Sequence, residues 1–290
     1  MTSSSDASRH GYVLAVAPNG ARKTHRDHPR LPITPAELAR CARECLDAGA
    51  SMMHLHVRKG DGTHSLEVED YAPAVAAVRQ AVGQALVIQL TTEAVGIYAP
   101  AQQMAVVRAL RPEAASVAVR ELVPTEISGA EEAAEAEAGA FFHWMRDKGV
   151  VAQYILYDAD DVRRYAALRA RGVVPADGHW VLFVLGRYSV GQTSSPADLV
   201  PFLTVWRELG LDQSGTEWAV CAFGRQEAAC AAAAILLGGH ARIGFENNML
   251  LPSGEVAADN AALLRAVRAS VDGLGYRVCD AAALRRMTAR

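Results

Sequence analysis

Short apolar, β-rich runs alternate along this chain with longer alanine- and leucine-rich stretches of helical period. Eight such runs stand out: Tyr12 to Ala17, Met52 to Val57, Leu86 to Thr91, Ser116 to Val119, Gln153 to Tyr157, Trp180 to Leu185, Trp218 to Phe223 and Ala241 to Phe245. The helical stretches have recognisable starts. Thr34-Pro35-Ala36-Glu37 offers an N-cap, a first-turn proline and an acid at the third helical position, and Leu38, Cys41, Cys45 and Leu46 follow as one apolar stripe. Ser195-Pro196-Ala197-Asp198 repeats the device after the sixth run. Strict strand-helix alternation implies parallel strands joined by crossover helices, and eight units predict an α/β fold, a closed (β/α)8 TIM barrel, as a single domain over 12–290. The alternative is an open doubly wound sheet, which would show a glycine fingerprint after its first strand; Asn19-Gly20-Ala21-Arg22 lacks that spacing. The segment from Pro18 to Ile33 has no helical period and is expected to lie as a long loop over the barrel mouth, while 1–11 reads as a short disordered lead.

With 290 residues, 51% of them hydrophobic, the chain can bury a large core. A formal charge of -3 with acids and bases evenly spread argues against a nucleic-acid binder and for a small-molecule partner. The five cysteines lack metal-type spacing, and Cys41 and Cys45 suit reduced thiols on a core-facing helix side, which places the protein in the cytoplasm. The N-terminus has no basic segment followed by an apolar one, and no apolar run reaches the roughly 20 residues of a membrane span.

The chemistry begins at His54 and His56. One residue apart on a strand, both imidazoles point to one face while Met53, Leu55 and Val57 point to the other. In a barrel the active site lies at the C-terminal strand ends, which sorts the polar residues: Gln89, Thr91 and Thr92 end strand three, Arg120 and Glu121 follow strand four, and Arg242, Glu246 and Asn247 belong to strand eight. Closure sets strand eight beside strand one, so Glu246 can approach the two histidines. Two imidazoles and one carboxylate are the ligand set of a catalytic zinc or a similar divalent ion, and they also suit non-haem iron; the alternative is a pair of core histidines. Arg242 is read either as a catalytic cation or as part of an ion pair within the barrel. His240 is expected to be structural. Arg187 and Arg225, just past strands six and seven, stand where phosphates could be met.

Several separated motifs then coincide with a known pattern. In Ala17-Pro18-Asn19-Gly20-Ala21-Arg22, Ala48-Gly49-Ala50, His54-Leu55-His56-Val57-Arg58 and the run from Gly238 to Asn248, the chain resembles the β-keto acid cleavage enzymes over nearly its whole length. The resemblance implies a zinc-dependent, usually homo-oligomeric barrel that condenses a β-keto acid with acetyl-CoA as co-substrate, giving acetoacetate and a new acyl-CoA. It implies His54, His56 and Glu246 as metal ligands and Arg242 as the stabiliser of the enolate. Thr91 and Thr92 fall where the family holds the substrate carboxylate, and Asn19 and Arg22 are expected to bind substrate.

The departures from the pattern are informative. Asn247 stands where the family has the aspartate proposed as base, and Gln153 where it has a second acid, so neither position can take up a proton. The expectation is a relocated base, with Glu93 or Glu121 as candidates at the barrel mouth; the alternative is a changed reaction. Arg22 replaces a glutamate that recognises an ammonium group, which predicts a substrate tail that is anionic or neutral. Two other functions compete: a CoA-independent metal-dependent hydrolase or lyase, against which the absence of histidines on strands five and six counts, and a non-catalytic metabolite binder.

Overall fold

The computed structural model describes residues 11–124 and 131–289, and in it eight parallel strands close into a barrel. They are β1 (Leu14–Val16), β2 (Met52–Leu55), β3 (Val87–Leu90), β4 (Ala114–Ala118), β5 (Val151–Leu156), β6 (His179–Leu185), β7 (Trp218–Ala222) and β8 (His240–Ile243). Each of the eight apolar runs supplies one of them. The ring closes where β8 pairs with β1, Arg242 opposite Ala15 and Ile243 opposite Val16, which removes the open-sheet alternative. The expected lead over 1–11 lies outside the described residues apart from Gly11, which with Tyr12 forms a two-residue ladder with Arg277 and Val278 beneath the barrel. This diversion is why β1 begins at Leu14 rather than at Tyr12.

The connecting helices are α1 (Pro35–Asp47), α2 (Val68–Val82), α3 (Pro100–Leu110), α4 (Glu131–Asp147), α5 (Ala159–Ala170), α6 (Val200–Glu208), α7 (Glu227–Leu236) and α8 (Asn260–Asp272). Thr34 and Glu37 form the predicted capping box of α1, the Thr34 amide donating to Glu37 Oε2 over 2.9 Å. The second device, at Ser195, opens a turn of 3-10 helix, Pro196–Leu199, before α6. No helix among the described residues is long and apolar enough to cross a membrane.

Alternation along each strand divides the core in two. Outward residues such as Met53, Leu55, Ile88, Val117, Tyr154 and Phe183 pack under the helices. Inward residues, among them Met52, Val87, Ala114, Trp180 and Leu182, fill the barrel, and Leu284 of a last helix, α9 (Ala281–Thr288), packs against this interior cluster. A filled apolar lower half leaves the upper half as the place for polar groups.

The end of β8 shapes that upper half. The Ala17 amide donates to Ile243 O over 2.8 Å, and the Glu246 amide returns to Ala17 O over 3.1 Å, so the chain turns sharply at Gly244. Gly244 has φ +142°, and a Cβ there would overlap the Ala17 carbonyl. Gly244→Ala should therefore cost roughly 1–3 kcal/mol in urea unfolding. Gly273→Ala, at a residue with φ -64° and nothing near the added carbon, should be neutral or stabilising in the same assay.

Candidate active site

His54 and His56 project from the inward face of β2 and its extension, both buried, and the turn after β8 brings Glu246 to them. The two Nε2 atoms lie 3.1 Å apart, and Glu246 Oε2 is 3.2 Å from that of His56 and 3.8 Å from that of His54. These are the edges of a triangle of potential ligand atoms. A tetrahedral ion with ligand bonds near 2.0–2.1 Å sets its ligand atoms roughly 3.3 Å apart, so the residues fit a zinc-sized ion. Among the described residues they are the group of three with that potential.

The protonation pattern agrees with this fit. His54 Nδ1 meets Gln89 Oε1 at 2.8 Å, and since that oxygen only accepts, the proton sits on Nδ1 and Nε2 turns its lone pair inward. Burial, with Arg242 nearby, holds the His54 pKa well below its ordinary range. Burial alone would raise the Glu246 carboxyl, but Arg242 and His56 outweigh it and hold it well below the usual carboxylate range. Glu246 Oε1 accepts from Arg242 Nη2 over 3.0 Å, whereas Oε2 has no hydrogen-bond partner among the described residues. Arg242 Nη1 and Nε likewise have none, leaving two donors of a buried guanidinium for incoming negative charge.

The turn that carries Glu246 is pinned from several sides. Glu227, at the start of α7, accepts from the Gly244 amide over 3.0 Å and from Asn248 Nδ2 over 3.2 Å. Asn260 accepts from the Phe245 amide over 2.9 Å, and Lys23 Nζ donates to the carbonyls of Phe245 and Glu246 over 2.6 and 3.0 Å. Lys23 thus ties the predicted 18–33 loop to β8. In that loop Gly20, with φ +60°, passes so close to Glu246 that a Cβ would come within 2.6 Å of its Cγ.

One cavity at this end of the barrel is lined by Asn19, Arg22, His54, Thr91, Thr92, Glu93, Glu121, Arg242 and Glu246 of the expected residues. Lys23, Tyr157, Arg187 and Gln192 join them. Asn19 donates from Nδ2 to Pro32 O over 2.9 Å and His56 O over 3.2 Å, fastening the loop to the end of β2. Thr92 gives its hydroxyl proton to Ser116 O at 2.8 Å, whereas Thr91 Oγ1 accepts from the Glu93 amide at 3.0 Å and keeps its O–H to donate. Glu93 Oε1 pairs with Arg187 Nη2 at 3.0 Å, and its Oε2 stands 4.0 Å from His56 Nδ1. Glu121 accepts from the Ala94 amide and from Gln103, and burial pushes its pKa up.

Two expected catalytic positions lie behind this cavity rather than on it. Gln153 Oε1 accepts from Gln89 Nε2 over 3.1 Å, making it the far end of an amide chain that orients His54. Asn247 is buried, and neither polar atom of its side chain has a partner among the described residues. His240 serves as a buttress at the opposite end of the barrel, as expected, accepting from the Val13 amide over 3.2 Å. Arg120 is taken up by Asp158 and Asp161 at 2.9 and 2.7 Å, and Arg225 packs by Gly254, away from the cavity. Sequence reasoning missed Lys23 and Glu227. Lys23 directly follows the first motif, a signal that was available; an acid in a helix's first turn reads as an ordinary partner of the helix dipole, so Glu227 gave none.

Ionisable and polar groups gathered around a cavity at the C-terminal strand ends of a closed (β/α)8 barrel have the arrangement of an enzyme site of the barrel class. Within that class the chain belongs to the β-keto acid cleavage enzyme family, whose profile matches residues 12–289. It is 32% identical over 257 residues to the 3-keto-5-aminohexanoate cleavage enzyme of Acetoanaerobium sticklandii, covering 88% of this chain and 89% of that one. To the 3-oxoadipate:acetyl-CoA acetyltransferase of Cupriavidus necator it is 27% identical over 283 residues, 95% of this chain and 93% of that one. A solved ternary complex of ObcA with C4-CoA adduct and oxalate shares the fold, with a TM-score of 0.72 at 18% identity over 90% of this chain and 68% of that one.

Gln89→Leu, which removes the acceptor that fixes His54, should weaken divalent-metal affinity by about 10- to 100-fold in a competition titration against a chelator. A second expectation concerns Glu227, whose pKa burial pushes up from 4.5 to about 8. A raised acid keeps its proton in the fold after the unfolded chain has lost its own, so the contribution of Glu227 to stability is full below pH 4.5 and falls as pH rises to about 8. Urea midpoints measured with excess chelator should decline across that window, and Glu227→Gln should flatten the decline.

Proposed function

We propose that the protein is a zinc-dependent β-keto acid cleavage enzyme that converts a β-keto acid and acetyl-CoA into acetoacetate and a new acyl-CoA. The observation that carries this reading is the convergence of His54, His56 and Glu246 beside the two unpartnered donors of Arg242, in a chain of this family. His54, His56 and Glu246 would hold the ion, which when bound supplies Lewis acidity toward the keto oxygen and carboxylate of the substrate.

The protein's own groups do the rest. Thr91 donates its O–H to the substrate carboxylate. Glu93 takes a proton from the carbon between the two carbonyl groups at Oε2, the oxygen that Arg187 does not hold. Arg242 receives the enolate charge through Nη1 and Nε, donors already desolvated and aimed before the charge forms. The enolate carbon attacks the acetyl carbonyl and CoA leaves as a thiolate. That thiolate then adds to the original keto carbon, the bond to the central carbon breaks, and the acetoacetate carbanion recovers its proton from Glu93. Glu121, already bonded to the Ala94 amide and Gln103, shapes the wall beside it. Arg22, on the cavity rim, favours a substrate whose tail is anionic or neutral. We place this activity in the cytoplasm, in a homo-oligomer.

The test is mass spectrometry of CoA species after the zinc-loaded protein is incubated with acetyl-CoA and β-keto acids of varied tail charge. The expected outcome is acyl-CoA and acetoacetate in equal amounts, abolished in His54→Ala and reduced about 10²- to 10⁴-fold in Glu93→Gln. No acyl-CoA across the panel would refute the reading, and undiminished turnover in Glu93→Gln would remove Glu93 as the base.

A further inference from the structure

The contact between Glu93 and Arg187 joins loops that are far apart on the ring. Glu93 follows β3 and Arg187 follows β6, with β4 and β5 between them, so the pair reaches across the barrel mouth. Both side chains are largely enclosed, at 22% and 18% exposure. The contact is single-pronged: Nη2 meets Oε1, and the guanidinium lies 5.4 Å above the ring of Phe223. An enclosed guanidinium needs an anionic partner, and its planar fork is matched best by a carboxylate held through two nitrogens. Glu93 as placed offers one oxygen.

The cavity's charge points the same way. Arg22, Lys23, Arg187 and Arg242 line it against Glu93, Glu121 and Glu246, four cations to three acids. Arg242 is engaged by Glu246 and Lys23 by two backbone carbonyls. Arg22 is exposed on the rim, so Arg187 is the enclosed cation whose present partner is the proposed base.

We infer that Arg187 is the specificity-determining residue for a second carboxylate at the far end of the β-keto acid, and that this carboxylate displaces Glu93 from it. The inference rests on the proposed cleavage reading and narrows its substrate class to dicarboxylic β-keto acids. When the tail carboxylate takes the Arg187 fork, Glu93 is released with both oxygens free over the reacting carbon. A neutral tail leaves Glu93 tied. Tail charge thus acts on turnover as well as on binding, and a substrate lacking the second carboxylate is discriminated against in kcat and not in KM alone.

Three β-keto acids of equal length, ending in a carboxylate, a methyl ester or an ammonium group, separate the possibilities when kcat and KM are measured for wild type, Arg187→Gln and Arg187→Lys. Wild type should favour the carboxylate over the ester in kcat/KM by roughly 10- to 100-fold, the range of one hydrogen-bonded charged contact, with part of the difference in kcat. Arg187→Gln should bring the two within a few-fold by lowering the carboxylate substrate and raising kcat for the ester. Arg187→Lys should keep part of the preference. An unchanged ratio in Arg187→Gln would overturn the inference and leave the pair as a structural tie. A rise in KM for acetyl-CoA but not for acetyl-pantetheine, with the tail ratio intact, would also overturn it, reassigning Arg187 to the CoA phosphates. Calorimetric binding of the dicarboxylic keto acid without acetyl-CoA gives a separate readout. If no acyl-CoA forms with any tail, the cleavage reading fails, while carboxylate binding that is lost in Arg187→Gln would still support the anchor and its persistence would refute it.

Discussion

Three potential ligand atoms held 3.1 to 3.8 Å apart inside an apolar barrel are an electrostatic problem that the rest of the upper half is built to manage. With no proton on His56 Nε2, two imidazole nitrogens and an ionised carboxylate oxygen do not attract one another, and burial denies them water. Arg242 offsets part of the cost through Glu246 Oε1 but leaves Oε2 facing the histidines without a partner. A divalent cation at their common focus would resolve the frustration, and that is the physical ground for proposing a metal centre here. The same burial that makes the unpaired atoms costly also strengthens the field of the free Arg242 donors on whatever anion enters.

The scaffold holds this arrangement through few but strict local constraints. Closure of β8 on β1 fixes where the chain leaves the barrel, Gly244 lets the turn pass close against the Ala17 carbonyl, and Gly20 lets the loop approach Glu246 more closely than a residue with a side chain could. Glu227, Asn260 and Lys23 then satisfy the backbone groups of the turn. Behind the histidines, Gln89 and Gln153 set the tautomer of His54. Gln153, where the resemblance implies an acid, is an amide that helps orient His54 through Gln89.

Periodicity exposed all eight strands and the capping devices because these depend on local chemistry: alternation, caps and first-turn prolines. The clustering of His54, His56 and Glu246 was legible for a related reason, since an alternating His-x-His and one late acid at a strand end become neighbours once the barrel closes. What stayed hidden involves partners distant in sequence. The Glu93 to Arg187 contact spans 94 positions, and nothing local to either residue announces the other. The difference between Thr91 and Thr92 is likewise a matter of which carbonyl each hydroxyl meets. Gln153 could be recognised as a substitution, but its place behind Gln89 follows from the three-dimensional stacking of β3 against its neighbours in the barrel interior.

The decisive measurement is anomalous diffraction from crystals of zinc-loaded protein, recorded above and below the zinc edge. One peak per chain, bonded by His54 Nε2, His56 Nε2 and Glu246 Oε2 with Arg242 still on Glu246 Oε1, is the predicted result. A peak elsewhere, or no peak with the three side chains settled on one another, would show that the triad is not a metal centre.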